Sequence, residues 1–283
     1  MSDAYGATIA KRKLSRKLTE LRIQSGYTAN QVCDRLNWGR GKVGRFESNQ
    51  WVRPEMSDIR DLLRIYTVSE EQAKELEELA ARARVRPWWR DYGDLFDNEF
   101  AGYEYDAKKI RTYLPLVLPA YLQTPAYMEA QMRSGSQQSS AWRNRAVGAR
   151  LRRQEILERT DGTAPELIAV ITEAALKYKW GTEDERRAQL EHLIEMSQRP
   201  NIELRLLRFA DGPHPGMTGP IHIFDFPNDE PSVVYIETDF AVQEVTKPKD
   251  INGYKKIFEQ ARAAALEPAA TAAYLKELAE KVE

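Results

Sequence analysis

Cysteine and histidine are scarce in this chain of 283 residues, which holds one Cys and three His. Cys33 alone cannot form an internal disulfide. His192, His214 and His222 share no i, i+4 spacing, so neither a disulfide scaffold nor a zinc site is expected. Long apolar runs are missing too. The longest, Tyr113 to Leu122, is broken by Pro115 and Pro119 and falls well short of the roughly 20 residues that span a bilayer. Met1 to Lys13 lacks the apolar stretch of about 7–15 residues that a secretory signal needs. These shortages fit a reducing cytoplasm and no membrane partner. An excess of either charge is also absent, with 42 Lys+Arg against 43 Asp+Glu. With 42% hydrophobic and 30% charged residues, disorder and collagen are excluded, and the length suits one large domain or two modest ones.

The balanced total hides an asymmetry. Residues 1–60 carry twelve Lys and Arg against six Asp and Glu, and the rest of the chain thirty against thirty-seven. A basic head on an acidic body suggests that the head meets a polyanion.

The head reads as five helices, making the fold mainly α with a smaller α+β part. Leu14, Leu18, Leu21 and Ile23 form an apolar stripe stopped by Gly26. Thr28 is a good N-cap for a second helix carrying Val32, Cys33 and Leu36. Asn37-Trp38-Gly39 separates it from a third, at about 39–48, with Val43 and Phe46 inward. A fourth follows Pro54, and a fifth spans about Glu70 to Arg84. Residues 1–85 are therefore expected to form one helical domain and 86–283 an α+β domain. In the latter, Leu167–Thr172, Ile202–Phe209, Ile221–Phe226 and Val233–Ile236 predict a small sheet of about four strands. Trp142–Arg159, Glu183–Ser197 and a long stretch after Asn252 predict helices, and Gly135–Ser140 a polar loop.

The second and third helices have the spacing of a helix-turn-helix, which sets the third in a DNA major groove. With Val43 and Phe46 inward, Arg40, Gly41, Lys42, Gly44 and Arg45 are left on the outer surface. Arg can grip guanine O6 and N7 bidentately, and Lys supplies a phosphate or guanine contact. Gly41 and Gly44, costly inside a helix, would let the backbone approach the groove. Gly39-x-Gly41-x-x-Gly44 also fits a dinucleotide fingerprint, but no strand precedes it and no βαβ unit surrounds it. No Gly-x-Ser-x-Gly, Walker A or paired-carboxylate motif is present, so no catalytic residue, cofactor or enzymatic activity is nominated. Trp88, Trp89, Tyr103, Tyr105, Tyr113, Tyr121 and Tyr127 read more readily as packing than as a ligand pocket, and Asp211–Pro220 as an irregular connection rather than a lid.

The stretch Leu21-Arg22-Ile-Gln-Ser-Gly26-Tyr-Thr28-Ala-Asn-Gln-Val32-Cys-Asp-Arg-Leu36, followed by Gly39-Arg40-Gly41-Lys42-Val43-Gly44-Arg45-Phe46-Glu47-Ser48, resembles the XRE-type (Cro/repressor-like) helix-turn-helix regulators. The remainder resembles their actinobacterial WhiJ-like, antitoxin-like branch. The landmarks are Leu122-Gln-Thr-Pro-Ala-Tyr127, Arg152-Arg-Gln-Glu-Ile-Leu157, Glu173-Ala-Ala-Leu176, Gln189-Leu-Glu-His-Leu193 and Val234-Tyr-Ile-Glu-Thr238. The resemblance implies a sequence-specific, nucleoid-associated transcriptional regulator acting on an operator in double-stranded DNA. The family's phosphate-contacting Gln at the start of the second helix is replaced by Ala29, which shifts that contact to Thr28, Asn30, Gln31 or Arg53. It implies an ion pair of Arg22 with Glu47 as a structural strut. A homodimer held by the C-terminal domain is expected, because symmetric operators are bound by symmetric dimers. The resemblance also suggests a small acidic partner protein encoded nearby. Partner docking, sensing of a small-molecule effector and pure dimerisation are the three roles open to that domain.

Overall fold

The computed structural model describes residues 6–51, 53–96, 98–135, 138–238 and 241–282. The loop expected at Gly135–Ser140 includes residues 136 and 137, which lie outside them. The chain divides into two compact units, Met1–Asp106 and Ala107–Glu283. An N-terminal helical helix-turn-helix region is followed by an α+β part with a mixed sheet.

The first unit contains α1 (Ala7–Gln24), α2 (Ala29–Arg35), α3 (Lys42–Glu47), α4 (Met56–Tyr66), α5 (Glu70–Ala83) and α6 (Phe100–Asp106). Leu14, Leu18, Val32, Val43, Ile59 and Leu62 are buried at its centre. Ile23, expected in the α1 stripe, is 63% exposed, because two residues after Leu21 a helix has turned to its far side. The Thr28 and Gln31 side chains and backbones cap α2 reciprocally, and Ser69 accepts from Gln72 N at 3.2 Å to start α5.

The unit extends past the expected boundary at residue 85. Asp106 Oδ2 accepts from Ile9 N at 2.8 Å, so the last residue of α6 caps the first turn of α1. Gly102 of α6 lies so close to Thr8 that a Cβ there would sit 2.1 Å from its hydroxyl, a contact that admits only glycine. Counted over residues 1–106, Lys+Arg and Asp+Glu are equal at eighteen each. The basic excess is thus local to the first four helices, and α5 opposes it directly: Glu75 pairs with Lys13 at 3.9 Å and Glu77 with Arg60 at 3.1 Å.

In the second unit β1 (Lys109–Leu114), α7 (Pro125–Gly135), α8 (Ser140–Gln154), β2 (Glu166–Thr172), α9 (Glu173–Lys177) and α10 (Glu183–Met196) come first. Then follow β3 (Ile202–Leu207), β4 (Ile221–Asp225), β5 (Val233–Glu237), β6 (Val242–Val245), α11 (Pro248–Ala264) and α12 (Pro268–Glu280). The sheet has six strands in the order β3-β2-β1-β4-β5-β6, not four. β1 pairs in parallel with β2 and antiparallel with β4, which makes it the hinge between a parallel half and an antiparallel half. The sequence reading passes over β1 because Lys109 and Arg111 break its apolar pattern; Arg111 is neutralised by Asp225 of the neighbouring strand. β6 is a short edge strand with three exposed residues, too polar to register as a strand.

On one sheet face Tyr113, Val170, Ile223 and Val234 pack with Phe258 of α11 in a single apolar cluster. The helical stretch expected after Asn252 is two helices. Pro268 cannot donate the backbone bond that continuation would need, and it begins α12 instead. Glu203 of β3 accepts from Arg262 of α11 at 2.7 and 2.6 Å, and Leu206 N donates to the Thr271 hydroxyl of α12 at 3.1 Å. Gln189 of α10 accepts from Thr124 N at 2.7 Å and donates to Leu122 O at 2.7 Å, while Gln154 donates to Ala120 O and Gln123 O. These glutamines satisfy the backbone of the irregular 120–124 turn. The sequence landmarks around them mark structural fasteners.

Candidate nucleic-acid interface

Between α2 and α3 the chain must reverse within a few residues, and Gly41, at φ +85°, occupies the left-handed region at the N-cap of α3. Backbone conformation is therefore what requires glycine at this position, and Gly41 does not lie inside the helix as expected. Gly44 does. A Cβ added to it meets nothing within 4 Å, so the protein has no internal packing reason for glycine there.

Val43 and Phe46 bury the inner side of α3, a burial worth about 2–3 kcal/mol for the larger ring. Trp38 and Trp51 flank Phe46, with ring centroids 6.3 and 5.8 Å away. The Trp51 indole donates to Phe46 O and to the Ser15 hydroxyl, both at 3.1 Å, fastening the end of α3 to α1. The sequence reading does not single out this clamp. Its signal is present all the same, as two tryptophans bracketing a short basic helix.

Charged contacts complete the frame. Arg22 donates from Nε and Nη2 to Glu47 at 2.5 and 3.0 Å, and from Nη1 to Tyr27 O at 2.7 Å. The hydrogen bond to Glu47 is the main reason that the Arg22 guanidinium holds its proton more tightly than usual, with burial opposing it. Arg22 therefore joins α1, the turn before α2 and the end of α3 through one planar fork.

The structure separates the expected contact residues into two groups. Lys42, read as outward, is half-buried: its ammonium pairs with Asp58 at 2.7 Å and lies 4.0 Å over the Trp38 ring. Four carbons of reach let the ammonium fold back onto α4, which spacing along the helix does not reveal. Thr28 and Gln31 are also occupied, since Gln31 Oε1 accepts from Thr28 N at 2.8 Å and from the Thr28 hydroxyl at 3.1 Å. Gln31 keeps its amide donors for an anion. Arg40, Arg45, Asn30 and Arg53 are exposed. Among the described residues, no carboxylate lies within ion-pairing distance of Arg40, Arg45 or Arg53. Arg35, exposed and stacked 4.4 Å from the Tyr27 ring centroid, adds a further cation near α2.

The other sequence candidates do not converge. Trp89, Tyr103, Tyr113 and Tyr121 are buried, and the aromatic residues are divided between the two units. His214 bonds the Tyr113 hydroxyl at 2.9 Å. His222 is buried beside the Thr112 hydroxyl at 3.1 Å and pushed down to about 3 by burial, with Arg153 adding to the effect. Cys33 is buried in the first unit. Among the described residues, no group of three or more His, Cys, Asp and Glu could hold a metal ion, and no helix is long and apolar enough to cross a membrane.

A short helix held by its apolar side, turned from its predecessor by a glycine and carrying or flanked by exposed arginines with no carboxylate partner among the described residues, is the reading head of a helix-turn-helix. Residues 13–76 match the model of a Helix-turn-helix domain, and the protein is a DNA-binding regulator of that class. Residues 98–277 match the model described as Domain of unknown function (DUF5753), and the chain belongs to that family. No curated protein and no solved structure gives a significant match.

Proposed function

We propose that this protein is a sequence-specific transcriptional regulator of the XRE type, of the WhiJ-like, antitoxin-like branch, that lays α3 in the major groove of an operator. Arg40 and Arg45 read base edges or grip the phosphates beside them. Asn30, Arg53 and the free amide donors of Gln31 hold the flanking backbone, while Thr28 shapes the start of α2. Lys42 acts from within, bracing α3 against α4. The observation that carries this reading is the set of exposed arginines without a carboxylate partner among the described residues, around a helix whose opposite side is held by Phe46, Glu47 and Lys42. Unpaired cations fixed on a rigid frame are what a polyanion releases its counterions to meet.

Two copies are expected to act together, because one six-residue reading helix covers only part of a major-groove turn. A homodimer held by the second unit would set half-sites about 34 Å apart. The second unit, with no nominated catalytic group, serves as the body that receives a partner or effector. Fluorescence anisotropy of the whole protein on its own upstream DNA and on a scrambled duplex, across a salt series, tests the reading. Tight and selective binding with a steep negative salt slope is expected; equal, weak binding to both duplexes overturns sequence-specific regulation at that site.

A further inference from the structure

The second unit contains a cavity of about 230 Å³ remote in sequence from the reading head. Leu118, Leu190 and Leu278 supply apolar lining, and Tyr127, Tyr178 and Trp180 aromatic lining. Among the described residues its charged lining is of one sign: Lys177, Lys179, Arg186 and Lys281, with no Asp or Glu. Residues 107–283 as a whole carry 24 Lys+Arg and 25 Asp+Glu, so four cations and no carboxylate among the described lining residues depart from that balance.

The walls are held in place. Tyr127 and Trp180 meet edge to face with centroids 4.9 Å apart, and the Tyr127 hydroxyl accepts from Leu118 N at 3.2 Å. Arg186 Nη1 donates to Trp180 O at 2.9 Å and Gly181 O at 3.0 Å, tying the 180–181 turn to α10. A reciprocal cap of Thr182 with Glu185 fixes the next step of the chain. Lys177 and Lys281 each pair with a carboxylate one turn back along their own helix, Glu173 and Glu277. Lys179 is exposed and, among the described residues, has no ion-pair partner. Tyr178, beside it, is 55% exposed, which leaves an aromatic ring and a free ammonium adjacent at the rim.

We infer that this cavity binds a small aromatic carboxylate. Aromatic walls favour a flat ring, through edge and face contacts. The Lys179 ammonium, without an ion-pair partner among the described residues, favours an anion and disfavours a second positive charge, while Lys177 and Lys281 are already paired with Glu173 and Glu277. The volume lies below the roughly 300–1,000 Å³ typical of drug-sized ligands, which restricts the occupant to about one ring system. The site stands independently of the DNA-binding reading, since none of its lining residues belongs to the first unit.

Isothermal titration of the whole protein with phenylacetate and with indole-3-acetate tests this, with neutral phenylacetamide and ringless acetate as controls. At least one aromatic acid is expected to bind at least ten times more tightly than both controls. Lys179→Glu should weaken that binding about tenfold, and its exposed position keeps the variant folded. Trp180→Phe should weaken indole-3-acetate less than Trp180→Ala does, with unchanged melting temperature in the Phe variant. Silence for both acids up to about 10 mM, a Kd range worth under about 3 kcal/mol, overturns the inference. Equal affinity for phenylacetamide overturns the anion selection, and binding that Lys179→Glu leaves unaltered overturns the location.

Discussion

The two units hold their key elements by different means. In the first, the six residues of α3 are placed by individual side chains: Phe46 between two tryptophans, Glu47 on Arg22, Lys42 on Asp58. In the second, the strands are placed by backbone ladders, and β1 acquires its position from pairing with β2 and β4 on its two sides. A side-chain clamp concentrates its energy in a few removable groups, whereas a ladder spreads it over many backbone bonds that substitution does not delete. The reading head should therefore be the more easily broken by a single change.

The largest effect should come from Arg22→Met. It strands Glu47 in a site where the two side chains are only 16% and 14% exposed, and it leaves Tyr27 O without its donor. A loss of about 3 kcal/mol is expected, read as a shift in the urea midpoint, with DNA affinity falling because α3 loses its angle. Retained stability together with retained affinity would show the clamp to be redundant and erase the contrast between the units.

Arg40→Ala and Arg45→Ala should each weaken operator binding by about 1–3 kcal/mol and relax preference at one base position, if each reads a base. Arg53→Ala should instead weaken binding on every sequence alike and reduce the salt slope by about one. Competition anisotropy on duplexes varied one base pair at a time distinguishes these outcomes. Neither set of changes should alter the melting temperature, because these arginines have no carboxylate partner among the described residues.

The second unit should show its weak point at acid pH. Glu203 is held below its ordinary 4.5, first by the hydrogen bonds from Arg262 and also by Arg205, against a burial cost that pushes it up. A depressed carboxylate contributes its full stability above the unfolded value and loses it as pH falls through the folded one. Stability of the β3–α11 link should thus be constant above about pH 5 and decline below about pH 4.5. Denaturant unfolding of Glu203→Gln against wild type checks this: the difference, about 1–2 kcal/mol at pH 7, should shrink as the pH is lowered.

The smallest effect should be Gly44→Ala. With nothing within 4 Å of the added methyl, the helix gains about 0.5–1 kcal/mol of stability. Affinity for DNA should fall if the glycine serves close groove approach. A variant that is both more stable and an equal binder would show that Gly44 has no part in recognition. Gly41→Ala separates the two glycines, since its φ of +85° makes it destabilising whatever happens at the groove.

Helix caps, the tight turn before α3 and the alternation of Val43 and Phe46 are local properties, so the helix-turn-helix is legible from consecutive residues. The same holds for the β2, β4 and β5 segments, rich in branched residues, and for β3, where Ile202, Leu204, Leu206 and Leu207 alternate with Glu203 and Arg205. β1 is different: Lys109 and Arg111 look like solvent-facing charges until Glu166 of β2 pairs with the first and Asp225 of β4, more than a hundred residues away, with the second. Lys42 is likewise legible only as a cation, since its pairing with Asp58 depends on where α4 packs. Trp180 and Lys179 carry no local signal, because their cavity is assembled from α7, α9, α10 and α12, which are separated along the chain.

Sequence alone thus determined the elements whose signals lie within one or two turns of chain: the helix-turn-helix, its basic surface and the class of α+β body behind it. Tertiary structure decided which strand became central, which cations were neutralised and which stayed free, and where a cavity remained. The physical reason is range. Propensity, capping and turn chemistry act between neighbours, while ion pairing, strand register and enclosed volume depend on groups that only folding brings together.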